Sequence, residues 1–185
     1  MPSQKSPFAS LPPFNSAGDL HVIVETRKGS RNKYKYDPKL GLFSLAKVLP
    51  AGLAFPFDFG YIPSTKGKDG DPLDVLLLME EPTFPGCLVV ARLIGAIQAE
   101  QTKQGAAFRN DRLIAVAAQS QDHQRIQSIA DLSADLLDEI EYFFRTYLAA
   151  EDQQFQPQER LGVAEAIKLV EKGSLSKRRK GKPKK

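Results

Sequence analysis

The alternation of apolar and polar positions from Leu20 to Glu25 predicts a half-buried strand. Lys33 to Tyr36 and Leu42 to Leu45 predict two more, joined through Asp37-Pro38-Lys39-Leu40-Gly41, whose proline and glycine signal a hairpin. Apolar runs predict strands over about 73–79, 87–98 and 108–118. Pro82, Pro85 and Gly86 punctuate the first gap, and a polar stretch ending at Gly105 fills the second. The period then changes. Asp131-Leu132-Ser133 opens an amphipathic helix in which Leu136, Leu137, Ile140, Phe143, Phe144 and Tyr147 recur at helical spacing, and a shorter helix covers about 162–172. Strands first and helices last argue an α+β domain, a small antiparallel barrel with the C-terminal helices packed on it.

Residues 50–72 break this pattern. Pro50, Gly52, Pro56, Gly60, Pro63, Gly67, Gly70 and Pro72 punctuate them, while Phe55, Phe57, Phe59 and Tyr61 alternate through them. The expectation is a long ordered loop, and loops of this length inside a domain are usually functional. Residues 1–18, rich in Pro and Ser, read as an extended arm, residues 19–173 as a single domain and residues 174–185 as a basic tail.

A chain of 185 residues has the length for one domain with a sizeable core. No apolar run approaches the roughly 20 residues of a membrane helix. The opening MPSQKSPFASLPPF lacks the apolar stretch of a signal peptide, and Cys87 is alone, so no intrachain disulfide forms. These features favour the cytoplasm and no membrane partner. The net charge of +4 misleads, because Lys177 to Lys185 alone carry seven positive charges and leave the rest of the chain at −3. Such a block reads as a solvated, disordered terminus, and nucleic acid is expected as a partner only through it.

The chemistry concentrates in Asp69-Gly70-Asp71-Pro72-Leu73-Asp74. Gly70 and Pro72 force a turn. The apolar run after Asp74 puts the three carboxylates at the mouth of a buried strand, where they repel one another unless a cation sits between them. Oxygen ligands without nearby His or Cys select Mg²⁺, Mn²⁺ or Ca²⁺ over zinc. A merely solvated Asp-rich turn is the plain alternative. An EF-hand is excluded, because Leu73 and Asp74 fall where its loop needs a ligand and a glycine. His21 and His123 have no partners by spacing and read as structural or exposed.

From about residue 20 to about residue 172 the chain resembles the soluble (family I) inorganic pyrophosphatases. Asp69-Gly70-Asp71-Pro72-Leu73-Asp74-Val75 satisfies the family signature D-[SGDN]-D-[PE]-[LIVMF]-D-[LIVMGAC] at every position. The resemblance implies a five-stranded, OB-like β-barrel flanked by helices, a homo-oligomer, and Mg²⁺-dependent hydrolysis of pyrophosphate, with Mn²⁺ as a possible substitute. It implies that Asp69, Asp71 and Asp74 form the metal site with Glu25 near it, that Lys33 and Tyr147 bind phosphate, and that Tyr61 lies in the active site. Lys47 and Arg112 stand where the family has an arginine and a lysine. Other positions depart from the family pattern: Lys35 stands for a glutamate, Phe59 for a tyrosine and Leu148 for a lysine. Two further metal-site aspartates would fall at Glu100 or Gln101 and at Asn110, with Asp111 one residue out of step and turned to the other face unless a bulge intervenes.

Hydrolysis of pyrophosphate needs its charge neutralised beside an attacking water. The expected roles are metal binding for Asp69 and Asp74, general base for Asp71, and phosphate orientation for Lys33, Lys47, Arg112 and Tyr147. The carboxylates replaced at positions 35 and 110 lower the expected metal affinity. The alternatives are a catalytically weak paralogue that binds phosphate-containing ligands or nucleic acid, and a hydrolase of another diphosphate.

Overall fold

The computed structural model describes residue 8 and residues 10–175. Strands β1 (Leu20–Thr26), β2 (Asn32–Asp37), β3 (Leu42–Val48), β4 (Asp58–Tyr61), β5 (Asp74–Leu78), β6 (Leu88–Lys103), β7 (Ala106–Arg109) and β8 (Arg112–Ala117) precede helix α1 (Ala134–Ala149). Strand β9 (Gln154–Leu161) and helix α2 (Val163–Gly173) follow it. Among the described residues, β1, β4, β5, β8 and β6 pair in that order and β6 returns to β1, closing a five-stranded barrel. Strands β7 and β9 extend the sheet from β6, and β2 and β3 form a separate two-stranded ribbon.

One pairing departs from the antiparallel expectation: β5 and β8 run parallel, with Val75 opposite Leu113 and Leu78 opposite Val116. Parallel strands are covered on both faces and therefore read as continuous apolar runs, as these two do. Their alternate residues serve two cores. Val75, Leu77, Leu113 and Ala115 face the core shared with β1 and α2, while Leu76, Leu78, Ile114 and Val116 pack under α1. The second core is aromatic, with Phe55, Phe59, Phe143, Phe144, Tyr147 and Phe155 in mutual ring contact.

The expected loop over residues 50–72 contains β4, whose four residues are all buried. Gly60 permits it, because a Cβ there would lie 2.2 Å from the Ile23 carbonyl oxygen of β1. Helix α1 starts at Ala134 rather than at Asp131. Ser133 caps it by accepting from the Leu136 N–H at 3.2 Å, while Asp131 accepts from the N–H groups of Gln127 and Ser128 and closes a separate 3-10 turn over Ile129–Asp131.

The N-terminal segment pairs with the barrel. Phe14 bridges Leu20, the Pro13 carbonyl accepts from the His21 N–H, and His21 Nδ1 lies 2.8 Å from the Pro12 carbonyl. Ser174 bridges Thr65, and the Leu175 N–H donates to Ser64. The tail Lys177–Lys185 lies outside the described residues. No helix among the described residues is long and apolar enough to cross a membrane.

Candidate active site

The ribbon of β2 and β3, the open end of the barrel and the end of α1 enclose a cleft of about 1410 Å³. Two bulges aim side chains into it. In β1 the pairing with β4 shifts between Val24 and Thr26, so Glu25 is the extra residue. In the ribbon the register shifts after Lys33, which sets Lys33 opposite Lys47.

The loop before β5 is held by its own backbone. The Gly67 N–H donates to the Asp71 carbonyl at 2.7 Å, the Asp71 N–H to Asp69 Oδ1 at 3.0 Å, and the Ile62 N–H to the Leu73 carbonyl at 3.0 Å. Gly70 takes the positive φ of 91° that the turn requires. Asp69, Asp71 and Asp74 thus reach one cleft from six consecutive residues. Burial raises the Asp69 carboxyl above its ordinary range, the hydrogen bond from Asp71 opposes that rise, and the charges of Asp74 and Asp71 add to it. Glu25 is 8% exposed and accepts from the Tyr36 N–H at 2.9 Å. Burial, opposed by that hydrogen bond and reinforced by Asp74, pushes its carboxyl up to about 7.

The facing wall is cationic and aromatic. Lys33 Nζ donates to the Tyr147 hydroxyl at 2.9 Å and lies 5.4 Å from the centre of the Phe59 ring. Burial lowers the Lys33 pKa, with Asp74 opposing. Lys47 pairs with Glu151 and sits 5.2 Å over the Tyr147 ring. Burial pushes the Tyr147 hydroxyl up to about 12 against the pull of Lys47, and burial likewise raises Tyr61. Lys35 Nζ meets Asp71 Oδ2 at 2.7 Å. Burial opposes the Lys35 charge, but the Asp71 hydrogen bond together with the charges of Asp71, Glu25 and Asp74 outweighs it and raises the pKa.

A third group closes the cleft at the start of β8. Arg112 Nη1 lies 2.7 Å from Asp74 Oδ2 and donates to Asn110 Oδ1 at 2.6 Å. Asn110 Nδ2 donates to Gln101 Oε1 at 2.9 Å, and Gln101 passes the chain of contacts to Gln153. The sequence named Gln101 only as an alternative to Glu100 and gave no sign of Gln153 or Glu151, because an amide on a strand and a lone acid after a helix carry no chemical signature.

Glu25, Lys33, Lys47, Tyr61, Asp69, Asp71, Asp74, Asn110, Arg112 and Tyr147 therefore share the cleft with Lys35, Phe59 and Leu148. Glu100 and Asp111 do not line it, and both expectations are corrected. Glu100 alternates with Gln101 on β6, and Gln101 is the residue turned inward. Asp111 is paired with Arg109 Nε at 2.7 Å and accepts from the Ala99 N–H. Asn110 and Asp111 form the link between β7 and β8, outside both strands, so strand alternation does not set where Asp111 points.

Comparisons with known proteins show the family. A profile described as inorganic pyrophosphatase matches residues 22–177. The chain belongs to the inorganic pyrophosphatase family. The inorganic pyrophosphatase of Thermus thermophilus is 43% identical over 143 residues, 77% of this chain and 79% of that protein. That of Synechocystis is 39% identical over 140 residues, 76% and 80% of the two chains. A crystal structure of inorganic pyrophosphatase from Thermus thermophilus superposes with a TM-score of 0.82 at 34% identity, covering 93% of this chain and 98% of the other.

Pyrophosphatases of this family are metal-dependent, and the donors here fit that need unevenly. The Asp69–Asp71 loop offers hard oxygen ligands, and the Asp69 carboxyl is raised by burial first and by the charges of Asp74 and Asp71 after it. Beside Asp74 the fit is poorer, because its Oδ2 is committed to Arg112. Among the described residues no three Asp, Glu, His or Cys side chains already converge as a metal-holding group.

Proposed function

We propose that this protein hydrolyses inorganic pyrophosphate to two phosphates, with Mg²⁺ held at Asp69 and Mn²⁺ able to replace it. The reading is carried by one observation: in a chain of this family, the carboxylates of the Asp69–Asp74 loop face Lys33, Lys47, Arg112 and Tyr147 across a single cleft. Bound there, the ion supplies positive charge against the diphosphate and acidifies water.

The chain's own residues supply the rest. Asp71 is the general base, held on the Gly70–Pro72 turn and screened by Lys35 until substrate enters. Lys33, Lys47 and Tyr147 orient one phosphoryl group. Lys33 Nζ donates to the Tyr147 hydroxyl, which keeps its own proton free to donate to a phosphate oxygen. Tyr61 and Phe59 wall the site and exclude water from the bridging oxygen. Asp74 backs Arg112 rather than serving two cations at once.

We further infer a cytoplasmic homo-oligomer, in keeping with the lone Cys87 and the family, with nucleic acid touched only through Lys177–Lys185. The deciding experiment is phosphate release from pyrophosphate in millimolar Mg²⁺, run beside a nucleoside triphosphate. Release from pyrophosphate alone carries the reading. Faster release from the nucleotide moves the substrate to another phosphoanhydride, and no release from either leaves a phosphate-binding protein without activity.

A further inference from the structure

The β2–β3 ribbon carries Lys33, Lys35 and Lys47, and it is a sheet of its own beside the barrel. A two-stranded ribbon is marginally stable by itself in water, so what docks it decides where its lysines stand. At its root two side chains of β1 hold it: Thr26 Oγ1 accepts from the Tyr34 N–H at 3.1 Å, and Glu25 accepts from the Tyr36 N–H at 2.9 Å. Towards its tip the hold is aromatic. Tyr36 and Phe43 face each other with ring centres 5.1 Å apart, and Phe8 meets both edge-on, at 4.9 Å and 6.1 Å. Phe8 belongs to the N-terminal arm, which is tied to the barrel. Its carbonyl accepts from the Leu11 N–H at 3.2 Å, the Leu11 carbonyl accepts from Ser64 Oγ at 2.8 Å, the Pro13 carbonyl accepts from the His21 N–H at 2.9 Å, and Phe14 bridges Leu20. The arm thus links the first barrel strand to the ribbon tip, and Phe8, Ser10 and Pro12 line the cleft between them.

We propose that Phe8 is a positioning residue: it docks the tip of the β2–β3 ribbon onto the arm and so holds Lys33, Lys35 and Lys47 in place across the cleft from the Asp69–Asp71 loop. This rests on the pyrophosphatase reading above. Without the Phe8 ring the tip loses its cap, and the ribbon samples arrangements that do not grip a phosphoryl group. Substrate then selects the competent arrangement, and apparent affinity falls by the fraction of time the ribbon spends in it. Once substrate is bound the lysines are back in place and the chemical step is unchanged. The signature is a raised KM at a nearly constant kcat.

The test compares the full chain with Phe8→Ala in steady-state hydrolysis of pyrophosphate in millimolar Mg²⁺, below the melting temperature of both. Imidodiphosphate, whose bridging nitrogen resists cleavage, is titrated calorimetrically into each under the same conditions. Phe8→Ala is expected to raise KM and the Kd of the analogue together by about tenfold, with kcat within about threefold of the parent. Phe8→Tyr keeps the ring and is expected to restore both. Should Phe8→Ala fail to fold, Phe8→Leu removes the edge contact while keeping apolar bulk, and a rise of about threefold in KM is expected. In Phe8→Ala/Lys33→Ala the two losses of analogue affinity should fall short of additive, because a ribbon without its lysine gains less from being in place. A variant that melts earlier at unchanged KM, a kcat lost at constant KM, a Phe8→Tyr no better than the alanine variant, or strict additivity overturns the proposal. A parent that hydrolyses pyrophosphate while Phe8→Ala matches it in KM and in analogue affinity defeats this inference alone. A parent that binds the analogue more tightly than Phe8→Ala does, yet never hydrolyses pyrophosphate, defeats the pyrophosphatase reading and leaves this one standing.

Discussion

Lys35 and Asp71 meet at 2.7 Å with about half of each side chain in water, 51% and 55% exposed. An exposed ion pair contributes about 0.2–1 kcal/mol, so opening it for substrate costs little. In the proposed mechanism Asp71 acts through its basicity, which Asp71→Asn removes while keeping size. Hydrolysis is expected to slow by about 10²-fold or more, with the melting temperature nearly unchanged. A rate within threefold of the parent in a steady-state assay would assign the base elsewhere. Glu80 behaves in the opposite way, far from the cleft. Its Oε1 accepts from the N–H groups of Asp122 and Gln121, both at 2.6 Å, and from Ser120 Oγ at 3.0 Å. The backbone N–H groups of Asp122 and of Glu80 itself lead in lowering its carboxyl from 4.5 to about 2. The ionised form is thus favoured by folding, and its contribution is complete above the ordinary value of 4.5 and lost as pH falls from there towards 2. Glu80→Gln should melt earlier in urea than the parent at pH 7, and the two curves should converge as pH approaches 2. Identical midpoints at pH 7 would mean that the turn at Ser120–His123, where Ser120 Oγ also meets His123 Nδ1 at 2.9 Å, does not need the carboxylate.

Elements were legible where burial was one- or two-sided and long. The apolar runs of β5 and β8 and the helical recurrence of Phe143, Phe144 and Tyr147 follow directly from which faces they bury. Strand β4 was not legible, because Asp58–Tyr61 is four residues between prolines and a glycine. Strand β9 was not legible either. Its sequence QFQPQERL is polar, and Phe155 alone is buried, because β6 supplies its pairing and the strand lies at an edge that tolerates Pro157. The same logic separates the site residues. The Asp69–Asp74 loop announced itself by charge density, whereas the inward turn of Gln101 depended on strand register. The place of Asp111 was not readable from strand alternation, because Asn110 and Asp111 link β7 to β8 and belong to neither strand. Gly60 tests the barrel at this scale. A methyl there would lie 2.2 Å from the Ile23 oxygen and 3.0 Å from the Val24 Cα, all backbone, so no side chain can yield. Gly60→Ala should cost about 3 kcal/mol or more, read as a lower urea midpoint or loss of soluble protein. A midpoint equal to the parent's would mean that β1 and β4 can separate without penalty, contrary to a closed ring.

For the whole molecule, the balance between fixed and mobile charge decides how it responds to metal. Outside the seven cations of Lys177–Lys185 the chain carries a net −3, and within the cleft Lys35 and Arg112 already neutralise Asp71 and Asp74. On the proposed reading, the cleft gains from metal what the Asp69 side has left to give. A ligand that binds the folded state alone adds about 2.7 kcal/mol at a hundredfold excess over its Kd. For a chain of this size each kcal/mol raises the melting temperature by about 2–4 °C, so saturating Mg²⁺ should raise it by about 5–10 °C. The comparison must hold ionic strength constant with NaCl, because screening alone shifts a charged surface. Asp69→Asn, which leaves both ion pairs intact, should lose most of that rise, whereas Glu80→Gln should keep it. A parent whose melting temperature ignores millimolar Mg²⁺ and Mn²⁺ alike would take metal away from the Asp69–Asp71 loop, and with it the proposed mechanism, while leaving the fold and the family untouched.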